Sequence, residues 1–594
     1  MYNPLDKTYK SVTGAVVENT PVVFRVKANK FCNLVVYSDE ESEKIYPMQK
    51  EGDFYKIEIS FSRGLYFYYF ICEKGKIYCG KNHTGEILEF GEPFELTAYK
   101  KGYKTPKWLK GGIIYQIFPD RFYRGEKDKP EIKNRVLKSW GETPEFLPNE
   151  KGIVLNNDFF GGDFKGITQK LDYLKSLSVS AIYLNPIFKA SSNHRYDTGD
   201  YNSFDPYLGE EKDFIKLVKT AEKKGIKIIL DGVFNHTGDD SIYFNKYGNY
   251  PNEGAYFGKE SKYYDWYKFK NFPDDYECWW DIKILPMIDK DSKSFQKFIA
   301  GKEGVVQKYV DLGAVGFRLD VVDELKDGFV KEIRKRIKKS NKDGVVIGEV
   351  WEDATNKIAY GERRKYFLGE ELDSVMNYPL KNAILSFVKD GDQNLLSKTI
   401  KEQIDRYPEE ALNVLMNLLS SHDTYRLISA ISDVKIDGDN KLLVRDYKMN
   451  EVDYKLAVSR LKIATLLNYS LYGVPSVYYG DEIGMEGYRD PLNRKCFTWD
   501  NIDFEILEWY KKLGKIRKKY DCFINGKLEE IYAKDGVYAF TREGKNSEIL
   551  CVANAGETEF SFSFDGKIKS LINGKIYKNN CSVKERTGDL FIAL

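Results

Sequence analysis

The chain has 594 residues, more than one hydrophobic core normally organises, so several domains are expected. Its 92 Lys and Arg residues nearly balance 90 Asp and Glu residues, which leaves a net charge of +2. A surface so balanced offers no field for a polyanion, which disfavours both nucleic-acid binding and attachment to a membrane surface.

The first residues and the cysteines bear on the cellular compartment. Residues 1–7 lack a basic stretch followed by an apolar core, so no signal peptide is predicted, and no apolar run reaches the length of a membrane span. The eight cysteines are scattered and form no CxxC pair. These features favour reduced, mostly buried thiols in a cytoplasmic protein.

Residues 1–105 are predicted to form an N-terminal β-sandwich. Short runs of β-branched and aromatic residues, at 22–26, 34–37, 54–59 and 65–71, are separated by turn signals such as Glu51-Gly52-Asp53. Such a domain could bind glycan through surface aromatics or merely pack against its neighbour, and the sequence leaves both open.

From residue 106 to about 520 the pattern changes to strands alternating with amphipathic helices, which predicts a (β/α)₈ TIM barrel. The eight strand candidates are residues 112–118, 180–187, 226–232, 314–321, 345–350, 372–377, 413–420 and 474–479. A long, aromatic-rich insertion after the third strand, at about 237–285, is expected to shape the mouth of a site. Residues 521–594 return to short strands and are predicted to form a C-terminal β-domain.

The fourth strand candidate contains Gly316-Phe317-Arg318-Leu319-Asp320. Side chains two residues apart on a strand point to the same side, so Arg318 is placed to keep the Asp320 carboxylate ionised. On its own this motif would be a structural ion pair. However, polar residues follow other strand candidates too, at 193–197, 231–236, 348–351 and 421–423, and the carboxyl ends of the strands carry the chemistry in this type of barrel.

Carboxylates on neighbouring strands are the minimum apparatus for glycoside hydrolysis. One attacks the anomeric carbon while the other protonates the departing oxygen, and a separation of roughly 5–5.5 Å gives a retaining mechanism. Asp320 is the candidate nucleophile, and Glu349, on an apolar strand beside Trp351, is the candidate acid. Asp423 is placed to bind sugar hydroxyls and to favour the distorted ring.

These motifs identify a resemblance to a known family. Four segments resemble, in order, the four signature regions of the α-amylase superfamily (glycoside hydrolase family 13), and residues 473–482 are similar to its last barrel strand. The segments are Asp231-Gly232-Val233-Phe234-Asn235-His236, Gly316-Phe317-Arg318-Leu319-Asp320, Gly348-Glu349-Val350-Trp351 and Ser421-His422-Asp423. The order of domains extends the resemblance to the whole chain.

The resemblance implies a role for each matching residue. Asp320 is similar to the family's nucleophile, Glu349 to its acid/base and Asp423 to its transition-state stabiliser. Trp351, which follows Glu349 by two residues, is also expected to bind substrate. The residues that match those surrounding the sugar on the non-reducing side of the cut are Arg318, His236, His422, His194, Tyr196 (as the stacking ring), Asp490 and Arg494.

Glu324 resembles an acidic residue typical of the neopullulanase, cyclomaltodextrinase and maltogenic amylase group, which implies a substrate-binding role. The alternative is a first-turn helix acid. Val322-Asp323 and Asp289 depart from the residues usual in that group, so the fine specificity is left open. The early loop at 124–130, where relatives bind calcium, is crowded by lysines and lacks most oxygen ligands. We therefore predict no metal and no other cofactor, a structural calcium ion being disfavoured.

The main functional hypothesis is a retaining hydrolase of α-1,4, and also α-1,6, glucosidic bonds in malto-oligosaccharides, cyclodextrins or pullulan. One alternative is a 4-α-glucanotransferase that uses the same site, and another is a non-catalytic glucan-binding protein. The expected partner is an α-glucan oligosaccharide. Relatives often dimerise through the N-terminal domain, so a homodimer is an open expectation.

Overall fold

A closed barrel of eight parallel strands lies at the centre of the computed structural model, which describes residues 2–150, 152–251 and 254–594. The strands are β1 (Ile114–Ile117), β2 (Ala181–Leu184), β3 (Lys227–Gly232), β4 (Gly316–Leu319), β5 (Val345–Gly348), β6 (Ser374–Val375), β7 (Met416–Leu418) and β8 (Val474–Tyr478). Around the barrel they follow the order β6-β5-β4-β3-β2-β1-β8-β7, and a parallel bridge between Met376 and Met416 closes the ring. All eight predicted strands are present, so the TIM-barrel prediction is confirmed.

Helices surround the barrel and cover the outer faces of its strands. The α-helices are Pro119–Phe122, Phe164–Gln169, Leu171–Ser176, Glu211–Lys223, Lys293–Ala300, Val305–Asp311, Asp327–Ser340, Tyr378–Asp390, Gln393–Arg406, Glu409–Leu412, Leu427–Ala430, Lys441–Val444, Glu451–Ser470, Phe504–Lys519 and Cys522–Asn525. Short 3₁₀ turns lie at Tyr264–Trp266, Trp279–Asp281, Val322–Glu324, Asp481–Ile483 and Leu492–Arg494. Between β5 and β6 the chain runs through a β-hairpin of Ile358–Ala359 and Glu362–Arg363.

The alternation of side chains along each strand divides the barrel interior into two layers. Buried apolar residues such as Ile114, Ile229 and Ile347 fill the lower layer. The next inward-facing positions, two residues further on, are polar: they include Gln116, Asp231 and Glu349. The strand period therefore places a polar floor on top of an apolar core, at the carboxyl ends of the strands.

Gly316 permits β4 and β5 to approach closely at the base of this site. Its φ is 154°, and a Cβ built there would lie 1.9 Å from the backbone oxygen of Val345. Only glycine fits such a contact without a shift of the backbone. The glycine that opens the Gly316–Asp320 motif is thus a packing requirement of the strand that carries Arg318.

The N-terminal region consists of two β-sheets that pack face to face around Phe24, Tyr68 and Phe70. One sheet contains Val16–Val17, Cys32–Tyr37, Lys44–Pro47, Gly64–Cys72, Gly75–Cys79, Gly85–Ile87 and Phe94–Tyr99, and the other contains Pro21–Lys27, Gln49–Glu51 and Phe54–Ser60. The predicted sandwich is confirmed. The domain boundaries near residues 105 and 520 stay predictions.

The expectation that all cysteines are reduced is wrong for one pair. Cys32 and Cys72 lie directly opposite each other on neighbouring antiparallel strands and form a disulfide. They are 40 residues apart in sequence, so spacing gave no sign of the pairing. The other six cysteines, all within the described ranges, are free. A disulfide is more typical of oxidising compartments, so it lends the predicted cytoplasmic location no support.

The C-terminal region is a single six-stranded antiparallel sheet. In spatial order its strands are Lys527–Lys534, Val537–Glu543, Glu548–Asn554, Thr587–Ala593, Phe560–Ser570 and Ile576–Val583. Besides the hairpin between β5 and β6, the described barrel loops contain three more two-stranded sheets: Val136–Leu137 with Asp158–Phe159, Phe188–Ala190 with Thr198–Phe204, and Phe269–Asn271 with Asp275–Tyr276. Asn252 and Glu253, inside the predicted insertion, lie outside the described residues. Across the part of the chain that is described, no helix is long and apolar enough to cross a membrane.

Candidate active site

Arg318 is the centre of the polar floor. Its Nη1 lies 2.8 Å from Asp231 Oδ1 and 2.7 Å from Asp320 Oδ1, and its Nη2 lies 2.9 Å from Glu349 Oε2. The contact with Glu349 is an ion pair without hydrogen-bond alignment. Asp320 and Glu349, the predicted catalytic carboxylates at the ends of neighbouring strands, thus contact the two terminal nitrogens of the buried Arg318 guanidinium.

Asp320 holds its charge less freely than the strand pattern suggested. Burial raises the pKa of Asp320 well above its usual range; Arg318 opposes this, while the charge of Glu349 adds to it. Three buried carboxylates, those of Asp231, Asp320 and Glu349, share the positive charge of one guanidinium. The expectation that Arg318 keeps Asp320 ionised is therefore incomplete, because Asp231 and Glu349 compete for the same cation.

Glu349 is oriented by the residue that follows Asp320. The backbone N–H of Val321 donates to Glu349 Oε2 at 2.8 Å. Val321 has φ 38° and ψ 54°, the left-handed region that a β-branched residue rarely enters. This strained turn aims an N–H at the carboxylate, a feature that no sequence pattern disclosed.

Asp231 also belongs to the site, although the sequence motif that it opens did not indicate a role for it. It is fully buried, and its Oδ2 accepts hydrogen bonds from Tyr183 Oη at 2.6 Å and Tyr196 Oη at 2.9 Å. Its other oxygen binds Arg318. Asp231 therefore connects the guanidinium to Tyr183, within β2, and to Tyr196, in the loop that follows it.

His422 continues this network on the far side of Tyr196. Gln116 Nε2 donates to His422 Nδ1 at 2.9 Å, and His422 Nε2 lies 2.5 Å from Tyr196 Oη. Burial and the charges of Arg494 and Arg318 lower the pKa of His422 well below its usual range, so the ring is neutral. A neutral ring that accepts at Nδ1 carries its proton on Nε2, which donates to the tyrosine oxygen. Gln116 was missed because a lone Gln in an apolar strand carries no catalytic signal.

Asp423 lies beside this network, and its side chain is 30% exposed. Its carboxylate is 3.1 Å from His422 Nε2 and 3.3 Å from Arg494 Nη2. Burial and the nearby charge of Glu349 raise the pKa of Asp423 to about 7, against the lowering effect of Arg494. Arg494 also donates to the His422 carbonyl at 2.9 Å and pairs with Asp490 at 2.8 Å, which brings both predicted residues of the 490–494 segment to the site.

The other two histidines of the predicted site, His194 and His236, border the same floor. His194 lies 5.9 Å from the Tyr196 ring, and its Nδ1 is 3.0 Å from Ser192 Oγ. His236 is buried and packs on the Trp279 indole at 5.3 Å, and burial lowers its pKa to about 4. Both imidazoles therefore lie beside aromatic side chains of the barrel mouth. Their roles stay predictions.

Trp351 and Glu324 follow β5 and β4. Trp351 is 46% exposed and stacks on Tyr378 at 4.0 Å with the rings nearly parallel. Glu324 is buried by Lys290, at 3.2 Å, and by the hydroxyl of Tyr360, which donates to it. Among the described residues Glu324 makes no hydrogen bond or ion pair with Asp320 or Glu349, and its partners belong to the loops after β3 and β5.

These contacts divide the barrel mouth into two halves. The closed half comprises residues on or after β7, β8, β1 and β2: Gln116, Asn185, His194, Tyr196, His422, Asp423 and Arg494. The open half comprises residues after β3, β4 and β5: Trp279, Trp280, Lys290, Glu324, Trp351 and Tyr360. The Arg318 cluster lies between them.

The loop at 124–130 is held by direct contacts with the protein. Lys129 Nζ lies 2.6 Å from Asp163 Oδ2 and 2.8 Å from the Tyr207 carbonyl. Within residues 2–150, 152–251 and 254–594, no group of three or more His, Cys, Asp and Glu side chains could hold a metal ion. The absence of a metal cofactor stays a prediction.

Comparison with known proteins gives one consistent result. Amylopullulanase from Thermoanaerobacter thermohydrosulfuricus is 37% identical, with a match that covers 96% of this chain and 44% of that protein. Cyclomaltodextrinase from Thermoanaerobacter pseudethanolicus is 32% identical over 84% of this chain and 81% of that protein. This chain spans less than half the length of the amylopullulanases that it matches.

The same likeness holds for solved structures. The type III pullulan hydrolase from Thermococcus kodakarensis has a TM-score of 0.71 and 26% sequence identity, and the match covers 100% of this chain and 99% of that chain. Residues 116–504 match the family described as "Alpha amylase, catalytic domain", a segment that begins in β1 and contains the whole carboxylate cluster. Since that match exceeds half of the chain and coincides with the barrel, the chain belongs to the α-amylase family.

Proposed function

We propose that the chain is a retaining glycoside hydrolase that cleaves α-1,4 and α-1,6 glucosidic bonds in malto-oligosaccharides, cyclodextrins or pullulan. The observation that carries this proposal is the contact of Asp320 and Glu349 with adjoining nitrogens of Arg318 at 2.7 and 2.9 Å. This places two carboxylates within one guanidinium's width at the carboxyl end of a barrel, the setting for double displacement.

In the first step the protonated Glu349 gives its proton to the glycosidic oxygen. The bond from that oxygen to the anomeric carbon breaks, and Asp320 Oδ attacks the same carbon to form a glycosyl ester. The leaving sugar departs as an alcohol. Because Asp320 then loses its negative charge, the ester removes one like charge from beside Glu349.

In the second step Glu349, now ionised, takes a proton from water, and the resulting hydroxide attacks the anomeric carbon. The ester bond to Asp320 breaks, so both carboxyl groups return to their starting protonation states. Two inversions at one carbon retain the α configuration. We assign Asp423 and Arg494, which are 3.3 Å apart, to bind hydroxyls of the attacked sugar, and hydrogen bonds that tighten as the ring flattens would lower the barrier.

A second candidate is a 4-α-glucanotransferase, in which a sugar hydroxyl replaces water in the second step. The exposed aromatic rings of the open half favour it, since Trp280 is 76% and Trp351 is 46% exposed. Such rings offer stacking surfaces for an acceptor sugar. Products longer than the substrate, formed from maltotriose, distinguish transfer from hydrolysis.

The test is product analysis with pullulan, a cyclodextrin and maltotriose. Panose from pullulan reports α-1,4 cleavage and maltotriose reports α-1,6 cleavage, while proton NMR of the fresh product reads its anomeric configuration. Asp320→Asn should abolish turnover yet keep the fold and sugar binding. Inverted products, or full activity in Asp320→Asn, would overturn the proposal, and absence of any released reducing ends would favour the non-catalytic alternative.

Glu352→Gln is a matched control, because this carboxylate lies three residues after Glu349 yet is 62% exposed and pairs with Lys357. It should keep full activity. Glu349→Gln should lose activity on sugars but form the glycosyl ester from a glycosyl fluoride, whose departure needs little acid help. The homodimer and the cytoplasmic location stay predictions.

A further inference from the structure

The connection between β5 and β6 presents a tyrosine at the tip of a short hairpin. Ile358 pairs with Arg363 and Ala359 with Glu362, which leaves Tyr360 and Gly361 as a two-residue turn. Both have positive φ, 54° and 77°, the pattern of a tight hairpin turn that matches strand twist. Tyr360 is a large non-glycine residue in this conformation and is 67% exposed. The hairpin therefore holds an aromatic ring in solvent at some conformational cost.

The tip is joined to the other two loops of the open half. The Tyr360 hydroxyl donates to Glu324 Oε1, while Lys290 Nζ binds Glu324 Oε2 at 3.2 Å and lies 4.3 Å above the Tyr360 ring. The loops after β3, β4 and β5 thus meet at one carboxylate. Glu324 is four residues beyond Asp320 in the sequence, so this junction belongs to the loop that leaves the strand carrying Asp320.

The base of the hairpin is held by the N-terminal sandwich. Arg363 binds Asp39 through both Nε and Nη2, the latter at 3.1 Å, and its guanidinium lies 5.0 Å above the Phe67 ring. Asn356 Nδ2 donates to the buried Glu95 carboxylate at 2.8 Å. Contacts through Arg363 and Asn356 at the base and through Tyr360 at the tip fix the position of the hairpin between the sandwich and the barrel mouth.

The position of this junction determines which sugars it can touch. The closed half surrounds the sugar that Asp320 would attack, and the open half continues from Glu349, the acid that protonates the leaving oxygen. Sugars beyond the cut therefore extend over the open half. An exposed ring whose hydroxyl is already occupied offers its face, and an aromatic face combined with a fixed carboxylate suits the apolar side and the hydroxyl rim of a glucose unit.

We propose that Tyr360 determines acceptor-side specificity: its ring is the platform for a sugar beyond the cut, and its hydroxyl, with Lys290, positions Glu324 toward that sugar. The N-terminal sandwich, through Arg363, acts as a positioning element for this platform. The inference rests on the proposed hydrolase function and adds residues to it that the sequence motifs did not include.

The experiment compares two substrates that differ only beyond the cut. Maltotetraose places sugars on the acceptor side, whereas α-maltosyl fluoride places only fluoride there. For Tyr360→Ala, kcat/KM on maltotetraose should fall about tenfold, mostly through KM, while α-maltosyl fluoride should change less than about twofold. Tyr360→Phe keeps the ring but frees Glu324, so it should retain most of kcat/KM and shift the ratio of panose to maltotriose from pullulan.

Arg363→Ala should reproduce part of the Tyr360→Ala effect, although it removes no atom from the mouth. Lys104→Ala is the matched control, because Lys104 also links the sandwich side to the barrel, through Glu410 at 2.8 Å, and touches no part of the hairpin. It should leave both substrates unchanged. Equal losses on both substrates for Tyr360→Ala, or no loss on either, would overturn the inference.

Asp320→Asn separates this inference from the function on which it rests. If Asp320→Asn cleaves both substrates at the normal rate, the hydrolase proposal fails. If it is inactive while Tyr360→Ala behaves like the unaltered chain, the hydrolase proposal stands and the acceptor-side role of Tyr360 is wrong.

Discussion

The two halves of the barrel mouth are built on opposite principles. In the closed half the Tyr196 and His422 rings stack with an angle of 5° between them, and a chain of hydrogen bonds from His422 through Tyr196 and Asp231 reaches Arg318. In the open half Trp280 and Tyr360 are 76% and 67% exposed, and they sit on loops instead of strand ends. The closed half is a network of buried, hydrogen-bonded side chains, whereas the open half presents exposed aromatic rings.

On the proposed function, we expect the closed half to support the reaction itself and the open half to select the substrate. Groups that stabilise a transition state must be held before the substrate arrives, and buried hydrogen bonds achieve this at little cost during the reaction. Aromatic faces on loops accept sugars of several linkages and lengths, because stacking demands less of orientation than hydrogen bonds do. Substitutions in the closed half should therefore reduce kcat, and those in the open half should chiefly change KM.

The largest effect is expected for Arg318→Met. It leaves Asp231, Asp320 and Glu349 buried without their shared cation, and breaking a buried ion pair in this way costs about 3–5 kcal/mol of unfolding free energy. Activity should fall by at least about 10³-fold, beyond the loss of a single oriented donor. Thermal unfolding and the rate of maltotriose cleavage measure the two effects.

Arg318→Lys serves if Arg318→Met does not fold, because it keeps the charge but cannot bind three carboxylates in a planar fork. It should fold and remain nearly inactive. Arg586→Met is the control, since Arg586 pairs with the exposed Glu557 and should leave both the Tm and the activity unchanged. An active Arg318→Lys would show that the reaction does not need the planar guanidinium of Arg318.

Tyr196→Phe tests the closed half without altering its shape. The hydroxyl accepts from Asn185 at 2.9 Å and donates to Asp231 at 2.9 Å, so its removal deprives Asn185 and His422 of a buried acceptor and Asp231 of one of its two tyrosine donors. We expect kcat to fall by about 10²-fold with a smaller change in KM, because the stacking ring is kept. A rise in KM at constant kcat would instead assign Tyr196 to substrate binding alone. Tyr66→Phe, in the N-terminal sandwich, is the control.

The closed half was largely predictable, and the reason is local. Strand alternation brought Arg318 and Asp320 to one face, and the parallel strands of a barrel end at one rim, so residues 194–196, 231–236 and 421–423 had to meet. The position of all eight strands followed from the same period. What remained hidden were partners without a pattern of their own, such as Gln116, which reaches His422 from an otherwise apolar strand.

The open half was less predictable because its contacts are long-range. Nothing in the sequence near Glu324 indicates that Tyr360 and Lys290, from two other loops, occupy both of its oxygens. The Cys32–Cys72 pair was missed for a similar reason: only the register of two strands brings these side chains together. Period and motif determine what lies at a strand end, whereas loops are positioned by tertiary contacts.

The pH dependence of stability provides a finer test at the border of the two halves. The folded state raises the pKa of Asp423 to about 7, through burial and Glu349, from about 3.9 in the unfolded chain. The folded protein therefore binds this proton more tightly. The resulting stability is complete below about pH 4 and is lost as pH rises through about 7.

Asp423→Asn removes this titration, so its stability relative to the unaltered chain should increase from pH 4 to pH 8. Because the side chain is 30% exposed, solvent reduces the gain to about 1–2 kcal/mol at pH 8, with no gain at pH 4. Denaturant unfolding at both pH values measures the difference. A constant difference across this range would mean that the carboxylate titrates normally.

The smallest effect is expected for Trp280→Ala in the open half. Trp280 is 76% exposed and contacts Trp279 at 5.3 Å, so its removal should change the unfolding free energy by less than about 0.5 kcal/mol. If the ring only presents a face to distant sugars, KM for a cyclodextrin should rise by about threefold to fivefold, kcat should stay constant, and maltotriose, too short to reach it, should be unaffected.

Trp279 is the informative contrast, because it packs on the buried His236 and connects the exposed ring to the floor. Trp279→Ala should therefore lower kcat as well as raise KM, and equal, KM-only effects for the two tryptophans would place both outside the rigid network.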